Sequence, residues 1–351
     1  MFLRNAWYVA AWGREVGRTL LRRIFLDEPV VLYRTEDGRA VALEDRCCHR
    51  RLPLSDGTLV GDRLQCHYHG LEYTADGRCV FAPGVAALPP QARVRAYPVV
   101  ERSKWLWIWM GDPALADPAL IEDFHWLDDP AWGAEGTYYH VKGDYRLVIE
   151  NLLDLTHLTY VHTATIGNYA TANAADMKAE ARGKGVRVTR WMIDQPPPPT
   201  YVKAGGFTGN VDRWQIIDWT PPANVRLDVG ATPTGTGAPE GRRVGGIEMW
   251  NLNSITPETA TTCHYFWAQA HNFEPKNRAV TEMLFNQIHT TFMQDVAIFE
   301  KQHANIALRP EAPTLNLPFD GGNIQALRIL DRLIRAEREA AQDAAPRAAA
   351  E

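Results

Sequence analysis

The sequence predicts an α+β protein in two parts, a small all-β domain over residues 1–115 and a larger α+β domain over 137–341. Three observations carry this. Strand-like apolar runs at Val30–Tyr33, Ala40–Leu43 and Leu106–Trp109 are punctuated by the turn dipeptides Asp37-Gly38, Asp56-Gly57 and Asp76-Gly77. From residue 137 onward, strand-like segments alternate with a few helical ones. Near the C-terminus Leu327, Leu330, Leu333 and Ile334 recur at helical spacing, so one face of a helix should dock on the core.

The remaining segments follow in order. Tyr97–Val100 is a weaker strand, because Pro98 suits only a strand start or a sheet edge. Gly111-Asp112-Pro113 closes the first domain, and the Pro- and Asp-rich stretch 116–136 reads as a linker. Pro196–Pro199 reads as a loop, since proline neither donates to a ladder nor continues a helix. Glycine-rich Thr232–Gly246 reads as a second, mobile loop. Residues 342–351 form an Ala-rich tail expected to be disordered. No internal repeat is visible.

Composition narrows the function classes. The 351 residues suffice for two well-buried cores, and 46% apolar with 23% charged residues is ordinary for a globular protein. A formal net charge of −5 gives no basic footprint for nucleic acid. No apolar run approaches the ~20 residues that span a bilayer. The opening Met1-Phe2-Leu3-Arg4-Asn5-Ala6-Trp7 lacks a signal peptide's long apolar stretch. Five cysteines, with 47, 48 and 66 in two short loops, do not make a disulfide framework. The expected compartment is the cytoplasm.

Those two loops read Cys47-x-His49 and Cys66-x2-His69, each offering one thiolate and one imidazole. That alternation suits a Rieske [2Fe–2S] centre, in which two Cys hold one iron and two His hold the other. A structural zinc site is the competing reading, but zinc sites more often group a Cys pair and a His pair. Cys48 and His67 lie between the ligand positions and read as loop residues. Cys79 and Cys263 read as ordinary reduced thiols.

A second constellation is Glu150-Asn151-Leu-Leu-Asp154-Leu-Thr-His157-Leu-Thr-Tyr-Val-His162. Two histidines and a distant carboxylate form the facial triad of a non-haem Fe(II) oxygenase. Asp154 and His157, three apart, share a helix face. His157 and His162, five apart, are separated by about 140° on a regular helix. For both to meet one metal, the helix must widen into a π-bulge or end between them. The competing reading is a buried helix with two satisfied histidines. For the carboxylate, Asp295 is preferred, because Phe292, Val296 and Phe299 around it make an apolar helical face. Glu300 is its rival, and solvated surface charge is the third possibility.

These residues resemble the oxygenase component of Rieske non-haem iron oxygenases over nearly the whole chain. Asn5-Ala-Trp-Tyr-Val-Ala10, Asp45-Arg-Cys-Cys-His-Arg50, Val100-Glu-Arg, Trp107-Ile-Trp-Met-Gly-Asp-Pro113 and Asp144-Tyr-Arg-Leu-Val-Ile-Glu-Asn-Leu-Leu-Asp154-Leu-Thr-His157 all match. Within the family the resemblance is to vanillate O-demethylases, dicamba O-demethylase and toluene-sulfonate methyl-monooxygenase. The cysteines at 47–48 and the run Pro233–Arg243 look most like the last. Three departures stand out: Cys48 where proline is usual, Gln294 where glutamate is common, and His271 where arginine is common. The last would alter the substrate pocket or the surface near it.

The resemblance implies a helix-grip-like antiparallel sheet in the second domain. It implies that Cys47, His49, Cys66 and His69 hold the [2Fe–2S] cluster, and that His157, His162 and Asp295 hold a mononuclear Fe(II). Asp154 matches the family's bridging aspartate, which joins a Rieske His to an iron-ligating His across a subunit boundary in a head-to-tail homotrimer. Its carboxylate is expected to accept from the free N–H of His157. Asn151 should hydrogen-bond into that network or line the pocket. Leu227, Asn253 and Asn286 are expected at the substrate pocket, with the two amides holding a carboxylate or sulfonate. Trp250 and Phe285 are candidates to shape the aromatic slot, with core packing the preferred role of each.

The implied activity is O2-dependent hydroxylation of a methyl or methoxy group on a small aromatic carboxylate or sulfonate. Electrons would come from NAD(P)H through a separate flavin and iron–sulfur reductase, since no G-x-G-x-x-G follows a strand here. Ring cis-dihydroxylation is the rival within the family. Outside it stand a pure electron-transfer Rieske protein and a zinc-stabilised binding protein. The former would need neither the His157/His162 pair nor a large second domain.

Overall fold

Tryptophans organise the first sheet. Trp7–Trp12 pairs antiparallel with Trp105–Trp109, which sets Trp7 edge-on to Trp109 and Trp12 edge-on to Trp105 at 5.4 and 5.5 Å. The computed structural model describes residues 1–168 and 175–344. The chain divides into two compact units, Met1–Ile121 with Thr256–Thr259, and Glu122–Ile255 with Ala260–Glu351.

The first unit is all β among its longer elements. Val99–Arg102 completes the tryptophan sheet and starts just after Pro98. A second sheet orders Leu21–Phe25, Glu28–Arg34 and Ala40–Glu44. A third meanders through Thr58–Val60, Arg63–Gln65, Glu72–Tyr73 and Cys79–Phe81. Their shared core includes Val31, Tyr33, Leu43, Leu64 and Tyr73, together with Cys47 and Cys66.

The stretch 116–136 is folded rather than an open linker. Asp112 and Asp117 each cap a Pro-initiated turn by accepting from the backbone two residues on, at 3.0 and 2.9 Å. Phe124, Trp126 and Leu127 are buried, and Trp126 stacks on Trp250 at 4.0 Å.

The second unit is built on a seven-stranded antiparallel sheet. Its order is Gly133–Val141, Cys263–His271, Ile247–Pro257, Asn224–Pro233, Val211–Thr220, Gly185–Gln195 and Ala175–Arg182. The long helix Arg278–Leu308 packs on the first two strands and the helix Gly321–Ala344 on the last two. Leu330 and Ile334 are buried on the latter helix, as their spacing predicts, with Leu327 and Leu333 half-buried beside them.

Three sequence expectations need correction. Pro199 opens the helix Pro199–Gly205, because the first helical position needs no N–H; the loop is residues 196–198. Thr232 and Pro233 belong to the strand Asn224–Pro233, which pairs Thr232 with Asp212, so the loop starts after them. Of the expected tail, residues 342–344 are helical and 345–351 lie outside the described residues. Among the described residues no helix is long and apolar enough to cross a membrane.

Candidate active site

Each thiol loop leaves the end of a short strand, and the two loops fold alike. Cys47 N–H donates to Leu52 O at 2.9 Å and Arg51 N–H to Cys47 O at 2.9 Å; Cys66 N–H donates to Leu71 O at 2.8 Å and Gly70 N–H to Cys66 O at 3.0 Å. Arg51 and Gly70, four residues after each thiol, both turn left-handed at φ 61° and 71°. Glycine does so freely, arginine at a steric cost. Buried Asp45 pins the first loop by accepting from the Ser55 N–H at 2.6 Å, Ser55 Oγ at 2.8 Å and Arg22 Nε at 2.9 Å.

Cys47 and Cys66 are buried, whereas His49 and His69 are exposed with ring centroids 4.6 Å apart. Burial pushes the Cys66 thiol up, and the adjacent Cys47 thiol adds to it. The Tyr73 hydroxyl lies 3.1 Å from Cys47 Sγ and accepts from Cys48 N–H at 3.2 Å. A phenol donating to a ligand sulfur tunes an iron–sulfur potential. Two inner thiols with two outer imidazoles are the donor set that a mixed-ligand [2Fe–2S] cluster requires. Cys48 and His67 are exposed, in keeping with loop roles.

The second site depends on where a helix stops. Tyr145–Leu153 ends because Asp154 leaves helical conformation (φ −117°, ψ 101°), and its carboxylate accepts from Thr156 N–H at 2.9 Å to cap the next turn. Leu158–Val161 then ends at His162 (φ −117°, ψ 30°). No bulge forms: the tight turn Leu155–His157 runs into Leu158–Val161, which ends at His162, and the two imidazoles stand with centroids 5.2 Å apart. Asp295, 3% exposed on the buried stripe of Arg278–Leu308, places Oδ1 3.1 Å from His162 Nε2 and 3.6 Å from His157 Nε2. The donor atoms of the three residues all lie within 4.8 Å of one another. Glu300 is elsewhere, accepting from Lys142 N–H.

The outer nitrogens fix the tautomers. His157 Nδ1 donates to the Asp154 carbonyl at 2.6 Å and His162 Nδ1 to Gln294 Oε1 at 2.8 Å, so each Nε2 lone pair faces the centre. Burial holds the His157 pKa below its ordinary value, with Asp295 opposing, which favours the neutral ring a metal needs. This donor set fits Fe(II) with an open face. The sequence assigned the His157 proton to the Asp154 carboxylate. The backbone carbonyl takes it, while one carboxylate oxygen caps the turn. Asn151 Nδ2 donates to Asp295 Oδ1 at 3.4 Å and not to Asp154.

A cavity opens over the triad, lined by Asn151, Leu227 and Met249 among others. Two expected pocket residues are misplaced. Asn253 is 0% exposed and is used within the sheet, donating to Asn251 Oδ1 at 2.8 Å and accepting from Tyr265 OH at 2.7 Å. Asn286 is exposed on the long helix. His271 is also away from the cavity, bonded to Phe273 O and Thr281 Oγ1. Trp250 stacks on Trp126 and Phe285 on Trp267, both as core packing.

The cavity's polar wall is instead Arg213, Gln215, Asn251 and Gln269. The signal for the first two was present. Val211, Arg213, Gln215, Ile217 and Trp219 alternate on one buried strand face, so an arginine and an amide stand in phase with apolar residues.

A Rieske-type loop pair and a His/His/carboxylate triad with an open face define an iron-dependent oxygenase. Residues 6–98 match the Rieske [2Fe-2S] domain and residues 141–336 the vanillate O-demethylase oxygenase C-terminal domain, so the chain belongs to the Rieske non-haem iron monooxygenases as an oxygenase component. It is 44% identical to the toluene-4-sulfonate monooxygenase system iron-sulfur subunit TsaM1 of Comamonas testosteroni, over 96% of this chain and 98% of that one. It is 39% identical to a vanillate O-demethylase oxygenase subunit of Pseudomonas sp. (strain HR199 / DSM 7063), over 98% of each. A crystal structure of dicamba monooxygenase with non-heme iron and dicamba superposes with a TM-score of 0.80 at 33% identity, covering 97% of this chain and 99% of that one.

Proposed function

We propose that this chain hydroxylates a methyl or methoxy carbon of a small aromatic carboxylate or sulfonate in the cytoplasm, with electrons from NAD(P)H delivered by a separate flavin and iron–sulfur reductase. The observation that carries the reading is a cavity with an apolar side and a polar wall that has His157, His162 and Asp295 among its lining. The names of the relatives, which act on toluene-4-sulfonate and vanillate, support the substrate class.

In this reading Cys47, His49, Cys66 and His69 hold the cluster, and His157, His162 and Asp295 hold the iron. When bound, these groups supply single electrons and the reductive activation of O2. The chain's own residues do the rest. The Asp154 carbonyl and Gln294 keep both Nε2 atoms inward, and Asn151 steadies the Asp295 oxygen they share. Leu155, Leu158, Met249 and Ile288 give the aromatic ring an apolar slot and keep water from it. The half-buried Asp154 carboxylate accepts a Rieske histidine N–H from a neighbouring subunit, in a head-to-tail homotrimer.

The balance is one C–H bond, O2, two electrons and two protons in, and C–OH plus water out. A hydroxylated methoxy carbon is a hemiacetal and releases formaldehyde; a hydroxylated aryl methyl remains as a benzylic alcohol. The test is a single turnover of chemically reduced protein with O2 and a panel of methoxybenzoates, toluates and toluenesulfonate. Formaldehyde or a hydroxymethyl product supports the proposal. A ring diol, or cluster reoxidation with no product from any acid, overturns it.

A further inference from the structure

The amides that the sequence offered to a substrate anion lie off the cavity, and a cation stands in it. Arg213 is 2% exposed, and its Nε and Nη1 meet no hydrogen-bond acceptor. Its guanidinium lies 4.6 Å over the Tyr201 ring. Neighbouring carboxylates are committed elsewhere: Asp228 accepts from Trp214 Nε1 and Arg243, and Asp212 from the backbone N–H groups of Asp194 and Gly235. A buried charge without a counter-ion is costly, and a buried donor without an acceptor calls for a reason.

The cavity supplies the reason. Arg213 lines the same space as His157, His162 and Asp295. On the adjoining strand, buried Arg190 gives Nη1–H to Gln215 Oε1 at 2.9 Å, so the Gln215 carbonyl is used and its NH2 remains a donor. Arg190 is itself pressed down to about 10, by burial first and then by the Arg213 charge. This wall therefore gathers positive charge and hydrogen-bond donors. Among the described lining residues the single carboxylate is Asp295, which belongs to the metal triad.

We infer that Arg213 is the anion anchor of the substrate site, pairing with the carboxylate or sulfonate of an aromatic acid whose methyl or methoxy group faces the His157/His162/Asp295 triad. The inference rests on the aromatic-acid reading above and adds the residue that selects the charge. Gln215 supports it as a neighbouring N–H donor.

Calorimetric titration of the cluster-loaded protein tests this without turnover, using toluene-4-sulfonate, 4-methylbenzoate and the uncharged toluene-4-sulfonamide. In Arg213→Gln both acids should bind roughly 10- to 100-fold more weakly, as loss of a charge-assisted contact implies. The sulfonamide should bind within about twofold of wild type, with the cluster spectrum unchanged. Arg213→Lys, which keeps the charge, should fall between the two for the acids, and it decides the matter should Arg213→Gln not fold. Unchanged acid affinity in the variants, or equal loss for the acids and the sulfonamide, overturns the anchor while leaving the aromatic-acid reading intact. A wild-type protein that binds neither acid but binds and oxidises the sulfonamide removes the substrate reading, and the anchor with it.

Discussion

In the first unit the proposed cluster residues come from two loops that repeat one backbone pattern, with thiols inward and imidazoles in solvent. In the second unit His162 and Asp295 meet across 133 residues of sequence, buried, with His162 at the end of a short helix that follows a break at Asp154. Donors carried on two short loops of like geometry need little beyond local turn geometry. A site assembled from a broken helix and a distant one depends on the whole packed unit. The first arrangement leaves a mark in the sequence, and the second leaves its parts scattered.

The largest test separates the two regions. Cys66→Ser should abolish the visible absorption of the cluster and all product formation. His162→Ala should also end product formation but keep the colour while losing the mononuclear iron, as read by metal analysis. A colourless His162→Ala protein would merge the two sites and break the comparison.

Asp154→Asn comes next. Asparagine still caps the turn at Thr156, so the fold, cluster spectrum and iron content should survive. Product formed per cluster reoxidised should fall roughly 100-fold. Wild-type coupling in this variant would reduce Asp154 to its capping role.

A smaller effect is expected at Gln294→Leu. Removing the acceptor for His162 Nδ1 should weaken iron retention roughly tenfold in a chelator competition while sparing the cluster. Unchanged retention would show that packing alone orients the ring.

The smallest effect lies at Glu150, beside the helix break, whose pKa is raised by burial first and then by Asp144. A carboxyl raised in the folded state binds more protons there than in the unfolded chain. Its penalty is absent below the ordinary value of 4.5 and grows as pH rises through the raised value. Glu150→Gln should therefore raise the melting temperature at pH 7, on the order of 1 °C, with the gain vanishing near pH 4. A gain that persists at pH 4 would point to packing instead.

Much of the candidate cluster site was legible because its proposed ligands are near neighbours on short strand-loop units. Asp295 was legible too, since Phe292, Val296 and Phe299 phase it onto a buried helix face. Asn253 and Asn286 misled for a different reason. An asparagine's residue type does not say whether its amide is spent inside a sheet, faces water or lines a cavity, and here the first two hold. Arg213 was overlooked although its strand phase was readable, because alternation gives a face and not what that face encloses.

By itself the sequence determined the donor chemistry, two Cys/His loops and a His pair with a carboxylate on a buried stripe, together with the strand and helix periods that carry them. Tertiary structure alone decided that the helix would end at Asp154, which of Asp154's two acceptor groups would hold His157, and that Arg213 would line the cavity with its Nε and Nη1 unmatched. These outcomes turn on hydrogen bonds and burial between segments distant in sequence, where competing acceptors differ by amounts that only the packed fold resolves.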